Sequence, residues 1–221
     1  MSMAVQAHAS VTETFYLAPS DGQAATLRGG VPAYHGNTMS PGDSAFAIGA
    51  HGNASESPYR ALLQFGGLDM FASITTATIE LTVFAPYNGD YMDVAVHQVT
   101  EAWSPGTNTS WNTQPSYEAD PYLVQNDWWG GFDSPVYTHV YDVTGLVQAW
   151  GDGTSPNYGV LLKQHDESIP QDALLFNNDL SDAPGPRLVV HGVLVPEPGM
   201  GSIFAFALAA CFGRRRRLVS K

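Results

Sequence analysis

Ile74-Thr75-Thr76-Ala77-Thr78-Ile79-Glu80-Leu81-Thr82-Val83-Phe84 decides the fold class. The stretch is rich in β-branched residues and its pattern has period two: Ile79, Leu81 and Val83 fall on one side, Glu80 and Thr82 on the other. A strand sends successive side chains to opposite faces, so this spacing predicts a strand with one face on a core and the other in water. Residues 91–100 repeat the alternation through Met92, Val94 and Val96, and residues 59–65 through Ala61, Leu63 and Phe65. Further outward, residues 12–17, 45–48, 136–140, 159–163, 173–177 and 187–195 read as strands bounded by turn residues. About nine strands with long connections predict an all-β, jelly-roll-like antiparallel sandwich rather than a repeat array.

One segment departs from period two. In Asp142-Val143-Thr144-Gly145-Leu146-Val147-Gln148-Ala149-Trp150, the apolar Val143, Leu146, Val147 and Trp150 recur at helical spacing. A short amphipathic helix is expected to plug one end of the sandwich, with Asp142 or Thr144 as N-cap and Gly151 at its exit.

Composition agrees with this class. The 221 residues hold 11% aromatics, 14% charged residues, 22 Gly and 15 Pro, a mixture of core-formers and turn-formers that suits a sandwich. Between Ser10 and Val195 only Arg28, Arg60, Lys163 and Arg187 are cationic, against 20 of the 21 acids. So acidic a body disfavours nucleic acid as a partner. The single cysteine, Cys211, lies in the tail, so the body has no disulfide, Cys-type zinc site or thiol nucleophile to offer.

Several segments together carry a resemblance. Tyr59-Arg60-Ala61-Leu62-Leu63-Gln64-Phe65 is similar to the R-x-L-L-x-F strand of DNRLRE domains, and Ile74 to Leu81 to their I-x-x-A-x-L-x-L strand. Trp103 followed by Thr109-Ser110-Trp111-Asn112-Thr113-Gln114-Pro115 resembles the family's W…T-W-N-x-x-P loop. Asp142 to Trp150, then Asn157-Tyr158-Gly159, resembles D-V-T-x-x-V-x-x-W…N-Y-G, and Pro186-Arg187-Leu188 resembles the closing P-x-L strand. The resemblance implies a jelly-roll carbohydrate-binding module, and some members bind alginate. Polyuronates call for cations, which are scarce here and include Arg60 and Arg187 at framework positions. The expectation is therefore a neutral polysaccharide, or an anionic one bridged by calcium.

The tail points to a destination. Pro196-Glu197-Pro198 is followed by 14 residues from Met200 to Gly213 that are mostly apolar or small, and then by Arg214, Arg215, Arg216 and Arg217. As a helix this run is roughly 21 Å long, against a hydrocarbon core of about 30 Å. Prolines hold the entry extended, and the arginines stay on the cytoplasmic side. This order resembles the PEP-CTERM sorting signal, which covers about one eighth of the chain. It implies processing by an exosortase, a transient inner-membrane stage through an apolar tail helix, and delivery to the envelope or extracellular matrix. Ala7-His8-Ala9 has the small-residue pattern that precedes signal-peptidase cleavage, without a basic n-region before it. The expectation is a start assigned too late, with residues 1–9 the end of a signal peptide, 10–194 the sandwich and 195–221 the sorting tail.

Candidate sites follow from residue type. Trp111 and Trp150 sit in framework motifs and are expected in the core, with Trp103 similar. Trp128-Trp129 lies in a Gly/Pro/Asp-rich connection flanked by Tyr117, Tyr122 and Phe132. Trp128, Trp129, Tyr117 and Tyr122 are therefore the candidate sugar platform, since apolar sugar faces pack on aromatic rings. A hydrophobic lid over the sandwich is the competing reading. Loop oxygens could hold calcium at Asn177, Asp179 and Asp182, at Asn126-Asp127, or near Asp152. His165-Asp166-Glu167 and the pair Glu101 and Glu118 are the only acid–base candidates, and no hydrolase signature accompanies them. The protein is expected to be non-catalytic: a carbohydrate-binding module, or a structural surface or biofilm-matrix protein, with a polysaccharide hydrolase or lyase as the weakest reading.

Overall fold

A computed structural model describes residues 9–17, 22–29, 46–50, 58–86, 91–128, 137–168, 174–176 and 185–196. These form eleven antiparallel strands and one α-helix: β1 Ser10–Tyr16, β2 Gly22–Arg28, β3 Phe46–Ala50, β4 Pro58–Phe65, β5 Phe71–Pro86, β6 Tyr91–Gln98, β7 Leu123–Trp128, β8 Tyr137–Asp142, α1 Thr144–Gly151, β9 Val160–Gln164, β10 Leu174–Phe176 and β11 Arg187–Leu194. The chain folds as an all-β sandwich. The apolar tail helix expected near the C-terminus lies outside the described residues.

The alternating stretch from Ile74 to Phe84 is the middle of β5, the longest strand among the described residues. β11 and β10 pair with one of its edges and β8 with the other, and β1 pairs with β11. The second sheet is built on β4, flanked by β2 on one side and β9 on the other, and continues through β6 to β7. β3 joins the two sheets. Its residues Phe46 to Ile48 pair with β10, and Gly49 and Ala50 with β4. Gly49 has φ 101° at this crossing, a backbone state that glycine adopts without steric penalty.

Period two puts Ile79, Leu81 and Val83 of β5 against Leu63 and Phe65 of β4 and Val94 and Val96 of β6 in one core. Burying each such side chain contributes about 1.5–3 kcal/mol. α1 adds Leu146, Val147 and Trp150 to the same core, as its apolar spacing predicts. Its ends differ from expectation. Val143 is the N-cap residue, and Asp142 stands one position earlier with its Oδ1 accepting the Thr144 N–H at 2.9 Å and hydroxyl at 2.6 Å. Gly151 still belongs to the helix, and the left-handed residue beyond it is Gly153, φ 74°.

The sequence reading missed two strands. β2 contains Gly-Gln-Ala-Ala and β7 contains Gln-Asn-Asp, poor strand formers by themselves. Each is a strand because a neighbour supplies the ladder: β4 pairs with all seven residues of β2, and β6 with all six of β7.

The outer face of the β4 sheet is also apolar. Ala25, Leu27, Leu62 and Leu161 form a second cluster there with Val99 and Trp103, and Trp111, Tyr117 and Tyr158 pack against it. The residues between Val99 and Tyr122 thus cover part of this face. Trp103 Nε1 donates to the Tyr158 carbonyl at 2.8 Å, while Gln23 Nε2 donates to the Trp103 carbonyl at 2.7 Å. Asn157 Nδ2 donates to the Phe65 carbonyl at 2.7 Å, and its Oδ1 accepts the Gly159 N–H at 3.1 Å. Gly159 has φ 83°, and a side chain there would collide with the Leu63 carbonyl. The Asn-Tyr-Gly triplet therefore locks the entry of β9 onto the end of β4.

Candidate functional site

Arg60 projects from β4 into the outer cover. Its Nε donates to Glu167 Oε1 at 2.8 Å, its Nη2 to Oε2 at 2.6 Å and its Nη1 to Gln114 Oε1 at 2.7 Å. The guanidinium carbon lies 4.2 Å from the centre of the Trp111 ring. A buried, bidentate, stacked arginine is satisfied by the fold, so Arg60 acts as a staple between β4, the cover and the turn after β9. Asp166 shapes that turn, its Oδ1 accepting from the Ser168 N–H at 3.0 Å and hydroxyl at 2.6 Å.

Beside the staple lies a groove of about 450 Å³, lined by His97, Tyr117, Ala119, Pro121, Lys163 and His165. Three neighbouring elements place these residues. β6 supplies His97, on the face opposite Val94 and Val96. β9 supplies Lys163, and His165 follows it, with its N–H on the Asp93 carbonyl at 2.7 Å. The segment leading into β7 supplies the rest. It is held to β6 by the bridge between Val99 and Tyr117 and by Glu118 N–H to the Gln98 carbonyl at 2.9 Å.

His97 is 3% exposed. Its Nδ1 donates to the Glu118 carbonyl at 2.8 Å, and the Tyr117 ring meets it edge-on with centroids 5.2 Å apart. Burial is the main force holding its pKa below 6.5. The Glu118 carbonyl opposes the shift, and the charges of Lys163, Arg60 and His165 add to it. With Nδ1 carrying the proton, Nε2 presents a lone pair, and it has no hydrogen-bond partner among the described residues. Lys163 is engaged with the protein. Its Nζ lies 3.2 Å from the Gln164 carbonyl, 3.5 Å from the His165 carbonyl and 3.5 Å from Glu167 Oε2.

The structure does not bring Tyr117 and Tyr122 together. Tyr117 faces the groove, whereas the Tyr122 hydroxyl accepts the Gly145 N–H at 3.0 Å, at the first turn of α1. Trp128 ends β7 opposite Tyr91. Its side chain and all of Trp129 lie outside the described residues, as do Asn177, Asp179, Asp182, Glu197, Pro198 and Arg214 to Arg217. Pro196 is exposed beyond β11.

Trp103 and Trp150 are buried, and Trp111 is half-buried on Arg60. Asp152 Oδ1 accepts from Thr154, and Asn126 donates to Asp93 at 2.7 Å. Among the described residues, no three His, Cys, Asp or Glu side chains converge as a metal site.

Three of the acid–base candidates, Glu101, Asp166 and Glu167, are engaged by neighbouring side chains. The Ser116 N–H and hydroxyl lower the pKa of Glu101, and Ser168 lowers that of Asp166. Burial alone would raise Glu167, but Arg60 and Lys163 outweigh it and hold the carboxyl below its ordinary range.

His97, Lys163, Ala119 and Pro121 were not singled out from the sequence. The alternation of residues 91–100 does place His97 opposite Val96, but without the groove it reads as an ordinary surface histidine.

No family model matches this chain, and a search of curated proteins finds no match.

Proposed function

We propose that this protein is an exported, non-catalytic β-sandwich that binds polysaccharide in the cell envelope or extracellular matrix. The groove between β9, β6 and the segment before β7 carries this reading. It combines an aromatic ring, two histidines and small apolar residues, the mixture that a sugar's hydroxyls and C–H faces require. Glu101, Asp166 and Glu167 are all held ionised, so none is kept protonated as the general acid of a glycosidase. The Pro-Glu-Pro, apolar and arginine order of the tail supports export through an exosortase, with a transient membrane stage.

The test is a glycan array probed with the chain in calcium and again in EDTA. Retention of neutral glycans in both buffers is expected, with affinity reduced about tenfold or more by Tyr117→Ala through loss of the ring. Thermal melting of the variant checks that it is folded. No retention of any glycan would move the reading to a structural matrix protein. Retention of anionic glycans only with calcium would assign the metal a bridging role.

A further inference from the structure

We propose that His97 is a latch that mild acid opens, releasing the chain from Ser116 to Tyr122 from β6 and separating the walls of the groove. Its bearing on glycan binding rests on the carbohydrate reading of this groove. The segment is bonded to β6 and its extension along its length. Thr100 N–H donates to the Ser116 carbonyl at 2.9 Å, Glu118 N–H to the Gln98 carbonyl at 2.9 Å and Tyr122 N–H to the Val96 carbonyl at 2.8 Å. His97 joins the same seam, its Nδ1 on the Glu118 carbonyl and its ring against the edge of Tyr117. Its Nε2 is closed off from solvent and has no partner among the described residues. The segment supplies Tyr117, Ala119 and Pro121 to the groove, facing His97, Lys163 and His165. Lifting it removes one wall.

A proton on Nε2 would make a buried cation and a buried donor with nothing to receive it, and both are costly. The surrounding charges add to that cost. Lys163 and His165 act from the β9 side and Arg60 from β4, and all three oppose a charge on the ring. The carboxylates nearby are spent or turned outward. Glu167 is held by Arg60 and Lys163, Asp93 accepts from Asn126, and Glu118 and Asp120 are exposed. The Glu118 carbonyl favours the charged ring, but burial outweighs it. Because solvent does not reach Nε2 while the segment is down, proton uptake requires the segment to lift. The lifted state holds the proton more tightly, so acid shifts the population toward it.

Amide hydrogen exchange of the full chain at pH 7.5 and 5.0, corrected for the intrinsic rate, reads the latch without any glycan. Below the value of about 6.5 for an accessible histidine, each pH unit can favour the lifted state by up to about tenfold. Protection at the Thr100, Glu118 and Tyr122 amides is expected to fall about tenfold, while the β11 amides stay better protected because the sandwich remains folded. His97→Asn and His97→Gln cannot take up the proton, and in them the fall is expected to vanish. Unchanged protection in the parent, or the same fall in a folded variant, would overturn the latch. So would segment and β11 amides exchanging together at pH 5.0, which would mean that only global unfolding frees the segment. That comparison is made within the parent and decides even where a variant does not fold. A failed latch leaves the carbohydrate reading standing, and a glycan array without binding leaves the latch standing.

Discussion

The outer face of the β5 sheet meets solvent, whereas part of the β4 sheet's outer face is buried beneath the chain between Val99 and Tyr122. On the first, Thr76 is exposed and Thr78 half-buried, and Arg187 pairs with Glu80 at 2.6 Å, both side chains partly buried. On the second, Leu62 and Leu161 are fully buried and Arg60 is closed in by Trp111, Gln114 and Glu167. Each face thus carries an arginine–carboxylate pair between residues 107 positions apart. The surroundings of the two pairs differ. The pair on the open face joins two neighbouring strands, while the pair under the cover joins three segments and lies against the Trp111 ring. The groove lies where the cover ends, so the shielded pair also sets the position of one wall through Lys163 and the turn at Glu167.

The largest expected effect comes from removing the shielded arginine. Arg60→Ala should cost about 3–5 kcal/mol, because it leaves a half-buried Glu167 without its main partner. Arg187→Ala should cost less, about 1.5 kcal/mol, the lower end for hydrogen bonds to a charged group, because Arg187 is more exposed than Arg60. Urea unfolding of both variants measures the difference, and equal losses would break the contrast between the faces.

Glycine substitutions sharpen it at a smaller scale. Gly159→Ala places a methyl group against the Leu63 carbonyl and Gln64, in a left-handed backbone state at the edge of the cover. A loss of about 3 kcal/mol is expected, the upper end of what strained backbone costs. Gly153 has a similar φ of 74°, but nothing lies within 4 Å of an added Cβ. Gly153→Ala should therefore lose only the intrinsic penalty, about 1 kcal/mol. A small effect at Gly159 would mean that the junction of β9 with β4 yields easily.

The smallest effect is a pH dependence belonging to the covered face. The folded pKa of His97 lies below 6.5, so the unfolded chain takes up this proton first. Stability should fall as pH drops below 6.5 and level off once pH is below the folded value. Glu167 acts lower. Its folded pKa lies below 4.5, so its contribution is present above 4.5 and lost as pH falls through the folded value. Thermal melting against pH should show both legs, and His97→Asn should remove the upper one. An unchanged upper leg would show that another group is responsible.

Much of the architecture was legible because alternation is local. Ile79, Leu81 and Val83 had to face a core once they formed a strand, and Leu146, Val147 and Trp150 had to share one side of a helix. β2 and β7 were not legible. Their Gly, Ala, Asn and Asp have little strand preference, and the ladders that make them strands come from β4 and β6. Among the site residues, Tyr117 was named for its ring, and the structure places that ring in the groove. Tyr122 was named for the same reason, yet its hydroxyl is spent on α1. His97 gave no signal, because its character comes from burial and the Glu118 carbonyl, both supplied by residues outside its own strand.

The sequence by itself determined which residues alternate, where one short helix interrupts the strands, how acidic the body is and how the tail is ordered. Those properties depend on neighbours a few positions away. Only the tertiary structure decided that one outer face would be covered, that Arg60 would be committed to Glu167, and that His97 would line a groove with one buried nitrogen unpaired among the described residues. Such outcomes depend on contacts between residues tens of positions apart, where burial strengthens paired charges and leaves any unmet hydrogen bond costly.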